Sequence, residues 1–209
     1  MATLGNIIGL IRSDIDRGSD LDWRIRQAIA DAVVNYESTR LGFNQKRATA
    51  TLPAGFEFIA LPPDWIDVDH LRLDGSDFRD PLEEVTYDWI DDHQRSDSVI
   101  GEPRKFAIQN RELRLYPTPD QEYTLLMNYH FKLTDVSASA SDAVSNAWTN
   151  EAELLVRRWA QRDVLLNYIG GPDAQGAAAP LTPLIEQSLK QLKDRAAREQ
   201  GTGRVRAWL

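Results

Sequence analysis

The chain has 209 residues, 42% of them hydrophobic and 27% charged, with a net charge of −8: a composition that supports a sizeable folded core and excludes wholesale disorder. It has no cysteine, which excludes disulfides, thiolate zinc sites, iron–sulfur clusters and cysteine nucleophiles. The acidic balance argues against a protein that grips nucleic acid over its whole surface, and no stretch approaches the roughly 18 apolar residues of a spanning helix.

The start, MATLGNIIGLIRSDIDR, lacks a basic region followed by an apolar run and a small-residue cleavage site, so the chain reads as soluble and unprocessed. Thr3 is placed to cap a first helix, whose Leu4, Ile7, Ile8, Ile11 and Ile15 follow the 3.6-residue period. Gly18 and Ser19 break it. A second stripe, Ile25, Ile29, Val33 and Tyr36 with Ala28 and Ala32 beside it, predicts another helix before Gly42.

Beyond Gly42 the period changes. TATLPAGFEFIALP predicts two short strands around Pro53-Ala54-Gly55, the second ending at Pro62-Pro63. WIDVDHLRLDGSDFRDPLEEV adds strand candidates around an Asp74-Gly75 turn, with imperfect alternation, and TYDWIDDHQ predicts one or two helical turns capped by Thr86. Phe106 and Ile108 precede a turn at Asn110-Arg111, Leu113 and Leu115 follow it, and Pro117-Thr118-Pro119-Asp120 turns again. Then Tyr123, Leu125, Met127, Tyr129, Phe131 and Leu133 alternate with Glu122, Thr124, Asn128, His130 and Lys132, Leu126 being the exception. This is the pattern of a half-buried antiparallel strand.

Residues 134–147, TDVSASASDAVSNA, read as a linker. Ala152, Leu155, Val156, Trp159, Ala160, Val164 and Tyr168 restore helical periodicity up to Gly170-Gly171-Pro172. A loose DAQGAAAP follows. The last helix reads from an N-cap at Thr182 with Pro183 at its first position, along Ile185, Leu189, Leu192 and Ala196, and GTGRVRAWL is a non-helical tail. The order of helices, strands and helices predicts an α+β protein: terminal helices at 1–45 and 148–209 packing together, and an antiparallel β domain at 46–133 inserted between them.

Charge is unevenly placed. From Asp64 to Asp97 twelve acidic residues face Arg72, Arg79 and Arg95, a net of −9, whereas Pro180 to Leu209 carries a net of +3. Phosphate-cradling, nucleophile-elbow, zincin and EF-hand motifs are absent. His70, His93 and His130 read as solvated or hydrogen-bonded structural residues. Asp67, Asp69 and His70, like Asp91, Asp92 and His93, have the residue types of a metal site without its spacing: on a regular strand His70 points away from Asp67 and Asp69. Glu83-Glu84 makes a poor acid/base pair because neighbours do not converge on one atom. Arg12, Arg17, Arg24 and Arg26 are interleaved with Asp14, Asp16, Asp20 and Asp22 as a self-pairing surface. No catalytic, cofactor or metal site is assigned. Arg195, Arg198, Arg204, Arg206, Trp208 and Leu209 are the candidate contacts to a neighbouring subunit or partner, since Arg and Trp anchor interfaces.

Five stretches in order, TLGNIIGLIRSDIDR, AIADAVVNYESTRLGFNQ, TLPAGFEFIALPPDW, GEPRKFAIQNRELRLYPTPDQEYTLLMNYHFKL and SNAWTNEAELLVRRWAQRDVLLNY, resemble the phage head-to-tail adaptor family over nearly the whole chain. The resemblance implies a helical bundle carrying a β domain. It also implies a dodecameric ring on the portal protein, distal tail or nozzle proteins below, and genomic DNA passing without sequence-specific binding. The implied setting is the head–tail junction of the virion, with the host cytoplasm during assembly, no membrane and no enzyme activity. DHQRSDS and the Ala-rich segment before Thr182 depart from the family pattern. Competing readings are a tail terminator or stopper ring, a small metal-dependent enzyme using the Asp/His residues, and a carbohydrate-binding β module using the six tryptophans.

Overall fold

The computed structural model describes residues 1–74, 81–96, 99–133 and 136–199. Helix α1 (Leu4–Asp14) starts where expected: the Thr3 hydroxyl accepts from the Asn6 N–H at 3.3 Å, and Leu4, Ile7, Ile8 and Ile11 are buried. Helix α2 (Asp22–Glu37) buries Ile25, Ala28, Ile29, Ala32 and Val33 along one stripe. The turn after it is organised by buried Asn44, whose side chain accepts from the Leu41 N–H at 2.9 Å and donates to the Thr39 carbonyl at 3.0 Å.

Strands β1 (Gln45–Leu52), β2 (Phe58–Ala60), β3 (Trp65–Asp74) and β4 (Glu83–Glu84) follow, then helix α3 (Tyr87–Ser96), and β5 (Ile100–Gly101), β6 (Lys105–Gln109), β7 (Glu112–Tyr116), β8 (Thr118–Pro119) and β9 (Tyr123–Phe131). They form a three-stranded sheet in the order β1-β9-β3, a four-stranded sheet β2-β7-β6-β4, and a small β5-β8 pair. The first sheet is antiparallel throughout; β4-β6 and β5-β8 are parallel pairs. β1 and β2 do lie on either side of Pro53-Ala54-Gly55, yet they join different sheets, pairing with β9 and β7 respectively. β9 likewise leaves the β6-β7 hairpin for the other sheet, so the stretch 101–133 is not one continuous antiparallel unit.

The Asn110-Arg111 turn is a two-residue hairpin loop joining Gln109 to Glu112, with positive φ at both positions (51° and 65°). Asn tolerates that conformation, while Arg111 there costs about 1 kcal/mol. Thr86 caps α3 by accepting from the Trp89 N–H at 3.2 Å. The irregular alternation of β3 has a structural cause: two bulges, between Trp65 and Asp67 and between Val68 and His70, space the buried residues as Trp65, Val68, Leu71 and Leu73. The second half of the expected Asp74-Gly75 turn lies outside the described residues.

Residues 136–146 contain no helix or strand but pack closely, their Val144 and Asp142 carbonyls accepting from the Leu4 and Gly5 N–H groups at the start of α1. Asn146 and Thr149 form a capping box at α4 (Ala147–Asn150), followed by α5 (Glu153–Val164) and a π turn from Leu165 to Ile169 ended by Gly170 at φ 66°. The segment expected to be loose is helical: α6 (Gly171–Ala178) has Pro172 in its first turn, where a missing N–H costs nothing, and buries Ala174 and Ala178. The last helix, α7 (Leu181–Glu199), begins one residue before Thr182, which therefore sits inside its first turn and not at the cap.

These elements group into two compact units: Met1–Asn44 with the described part of Lys132–Leu209, and Gln45–Phe131. The first has a core in which α1 and α2 meet α4 and α5 around Trp148, with a second cluster where α5, α6 and α7 meet. In the second unit the two larger sheets share one core, Leu71, Leu125, Met127 and Tyr129 from one and Phe106, Leu113 and Leu115 from the other.

Candidate functional site

The unit Gln45–Phe131 presents two different surfaces. Arg114 lies on β7, flanked by Phe58 on β2 and Ala107 on β6, on the face of the four-stranded sheet turned away from the shared core. Helix α3 covers this face. Arg114 is 7% exposed; its guanidinium donates to the Asp91 carboxylate and, at 2.9 Å, to Gln94 Oε1, while its Nε stands 3.8 Å from the Glu57 carboxylate. Tyr87 and Phe58 lie under the cation at 4.7 and 5.3 Å. Burial works against its charge, but Asp91, Glu57 and Tyr87 more than offset it and hold the arginine above its ordinary pKa.

Beside Arg114 opens a groove of 640 Å³ lined by Phe56, Phe58, Asp91, Gln94 and Ile100 among others. Phe56, Phe58 and Ile100 are 63%, 42% and 65% exposed, an apolar rim around a fixed cation, which is the composition of an interaction surface. Trp89 on α3 stacks on His93 with ring centroids 3.6 Å apart and meets Tyr116 edge-on at 5.3 Å, anchoring the helix beside the groove.

The second surface is the outer face of β1-β9-β3. Next to a row of Thr51, Thr124 and the exposed Asp74, its central cross-strand rows are Arg47, Asn128 and His70, then Thr49, Leu126 and Arg72. They line a concavity of 510 Å³ with no acidic residue in its wall. Asn128 Nδ2 is 2.8 Å from His70 Nε2. Burial first, then the neighbouring Arg72 and Arg47, lower the His70 pKa against an opposing pull from Asp69.

The β3 bulges correct the expected placing of the Asp/His residues. Asp69 is within 3.1 Å of His130 Nε2 and accepts from Gln45 Nε2 at 2.9 Å, while His70 meets Asn128; since Asn128 and His130 alternate on β9, Asp69 and His70 share one face. His130, on the polar side of β9, is buried and hydrogen-bonded. No group of three or more His, Asp or Glu residues among the described ones is arranged to hold a metal ion. Three carboxylates of the acidic stretch are neutralised within the chain, Asp64 by Lys46 at 2.8 Å, Glu83 by Lys105 at 2.5 Å and Asp91 by Arg114.

A protein-family model described as SU10 adaptor protein matches residues 2–206, covering both units. The chain belongs to the SU10 adaptor protein family. This is a family of phage adaptors, and membership supports a structural role at the head and tail of the particle and interaction with other head or tail components. Among curated proteins no match was found. Among the described residues of this adaptor, no helix is long and apolar enough to cross a membrane.

The candidate contact residues at the adaptor's C-terminus divide into two groups. Arg195 and Arg198 are exposed on the last turns of α7, and Arg195 is paired with Glu151 at 3.2 Å. Arg204, Arg206, Trp208 and Leu209 lie outside the described residues. Sequence reasoning missed the Arg114 groove. The available signal was Arg114 itself, between Leu113 and Leu115, together with the two phenylalanines of GFEF.

Proposed function

We propose that this protein is the head-to-tail adaptor of a tailed bacteriophage, a structural virion component that forms a dodecameric ring between the portal protein and the tail and leaves a passage for the genome. The observation that carries this reading is the family match from residue 2 to residue 206. In the proposed arrangement residues 1–45 and 148–209 pack as a helical bundle, 134–147 link it to the β domain at 46–133, and the protein sits at the head–tail junction. It acts by binding and shape and needs no catalytic group. The core joining α1 and α2 to α4 and α5 supports the bundle, and the apolar rim at Phe56, Phe58 and Ile100 supports a chain built to meet partners.

Ring closure requires each copy to present two different complementary surfaces. Exposed carboxylates from the stretch Asp64–Asp97 supply a channel wall that repels the DNA backbone and lets the genome pass without adhering. The tail carrying Arg204, Arg206, Trp208 and Leu209, with Arg195 and Arg198 before it, reaches the portal or a neighbouring copy. Deleting residues 201–209 is expected to weaken ring formation and portal capture about tenfold or more, measured by pull-down with purified portal. Wild-type assembly and portal binding by the truncated protein would remove the tail from this account.

A further inference from the structure

The groove beside Arg114 is built on a backbone that is already held. The Gly55 N–H donates to the Pro119 carbonyl and the Leu115 N–H to the Glu57 carbonyl, both at 2.8 Å, so the chain is tied on either side of Phe56. Phe58 is in register with Arg114 across β2-β7, and Ile100 pairs with Thr118 in β5-β8. Among the described residues of the unit Gln45–Phe131, the exposed large apolar side chains are Phe56, Phe58, Ile100 and Leu126, and three of these four line this one groove. Apolar side chains presented on a rigid backbone spare a partner much of the ordering cost of binding.

The chemistry of the groove narrows its occupant. Its 640 Å³ accept a large aromatic side chain with an aliphatic one beside it. Arg114 is already committed to Asp91, Gln94 and Glu57, so the apolar rim and not the cation is what remains to be covered. Helix α3, which contributes Asp91, Gln94 and Arg95 to the wall, carries Asp88, Asp91 and Asp92 against one arginine, a balance that favours a basic segment over an acidic one. Residues 200–209, QGTGRVRAWL, meet each requirement: Val205, Trp208 and Leu209 are apolar, Arg204 and Arg206 are basic, and none is acidic. They follow Glu199, where α7 ends, and Trp208 is nine residues beyond it, a reach of up to about 30 Å, the width of a small domain.

We infer that residues 200–209 of one copy dock in the Phe56, Phe58 and Ile100 groove of a second copy, with Trp208 against the phenylalanines and Arg204 and Arg206 toward the carboxylates of α3. The inference rests on the ring reading and deepens it: a tail on one surface and a groove on another are the two unlike surfaces that a closing head-to-tail contact requires. It makes the neighbouring copy, and not the portal, the partner of the tail.

The chain has no cysteine, so two introduced ones report the contact without background. Arg95→Cys, on the exposed groove wall, and Ala207→Cys, beside Trp208, are placed together in the full chain. Rings are assembled on purified portal and counted by electron microscopy, mild oxidation is followed by non-reducing electrophoresis, and thermal melting checks that each variant folds. The expected result is a ladder of copies linked in series, collapsed by reductant and absent from either single-cysteine variant, which can link no more than two copies. Trp208→Ala or Phe56→Ser, added to the cysteine pair, is expected to slow linkage about tenfold, and the two together no more than either alone. Rings without linkage between copies, or a disulfide closed within one copy, overturn the inference and leave the ring reading standing. Linkage that neither substitution slows also overturns it, because the groove and the indole then contribute nothing to the encounter. Copies linked in series without rings remove the ring reading and keep the contact; neither rings nor linkage removes both.

Discussion

Replacing Trp148 by alanine is expected to lower the free energy of unfolding by about 3–5 kcal/mol, a large share of the roughly 5–15 kcal/mol that a folded domain possesses. Trp148 is 1% exposed, lies in the core that joins α1 and α2 to α4 and α5, and meets the Phe43 ring edge-on at a centroid distance of 5.1 Å. Its position is fixed from outside the core, because the Asn146 side chain accepts from its N–H at 2.9 Å and the capping box fixes the entry to α4. The alanine variant leaves a large cavity between helices contributed by opposite ends of the chain. Phenylalanine is the informative comparison. The indole Nε1 is buried with no hydrogen-bond partner among the described residues, so its removal sacrifices no hydrogen bond, and Trp148→Phe is expected to cost only about 1–2 kcal/mol. Urea denaturation of the three proteins separates the two costs, and equal losses for Ala and Phe would show that cavity volume is not what governs the site.

The second large effect is expected at Arg114. Arg114→Met keeps the length of the side chain but leaves Asp91 and Glu57 without their shared cation and removes the donor to Gln94, for a loss of about 3 kcal/mol. That value is at the low end for a broken buried pair because Asp91 and Glu57 retain partial contact with water, with side chains 36% and 25% exposed. Lysine is not an adequate replacement: it lacks the planar fork that reaches a carboxylate and an amide together while stacking on Tyr87. Since the same guanidinium holds α3 against β7, the variant is expected to loosen α3, read as faster amide exchange in Tyr87–Ser96 with β9 unaffected. Unchanged exchange in α3 would show that Ile90 and the aromatic contacts suffice without the arginine.

The parts of this fold legible from the chain were those where one element meets one partner surface. The stripes of α1 and α2 and the alternation of β9 are local patterns imposed by a single core face, and they were readable for that reason. Strand pairing was not. β1 and β9 are joined in register from Gln45 with His130 to Leu52 with Tyr123, across most of the intervening sequence, and no local signal specifies that pairing. The β3 bulges hid its core spacing and reversed the expected direction of His70. Helix α6 was masked by Gly171, Pro172 and Gly176, residues that read as breakers although Pro172 falls in the first turn, where it is tolerated. Arg114 illustrates the same limit for the candidate site. On β7 it takes the position of an outward-facing polar residue, and only the packing of α3 over that face makes it a buried hub beside an exposed aromatic groove.

The central claim is that the protein is the ring joining portal to tail, and electron microscopy of the purified protein with and without purified portal tests it most directly. The account predicts twelvefold rings seated on the portal, lost when portal is omitted. Absence of any portal-bound ring, with rings forming instead on purified tail-tube protein, would contradict it.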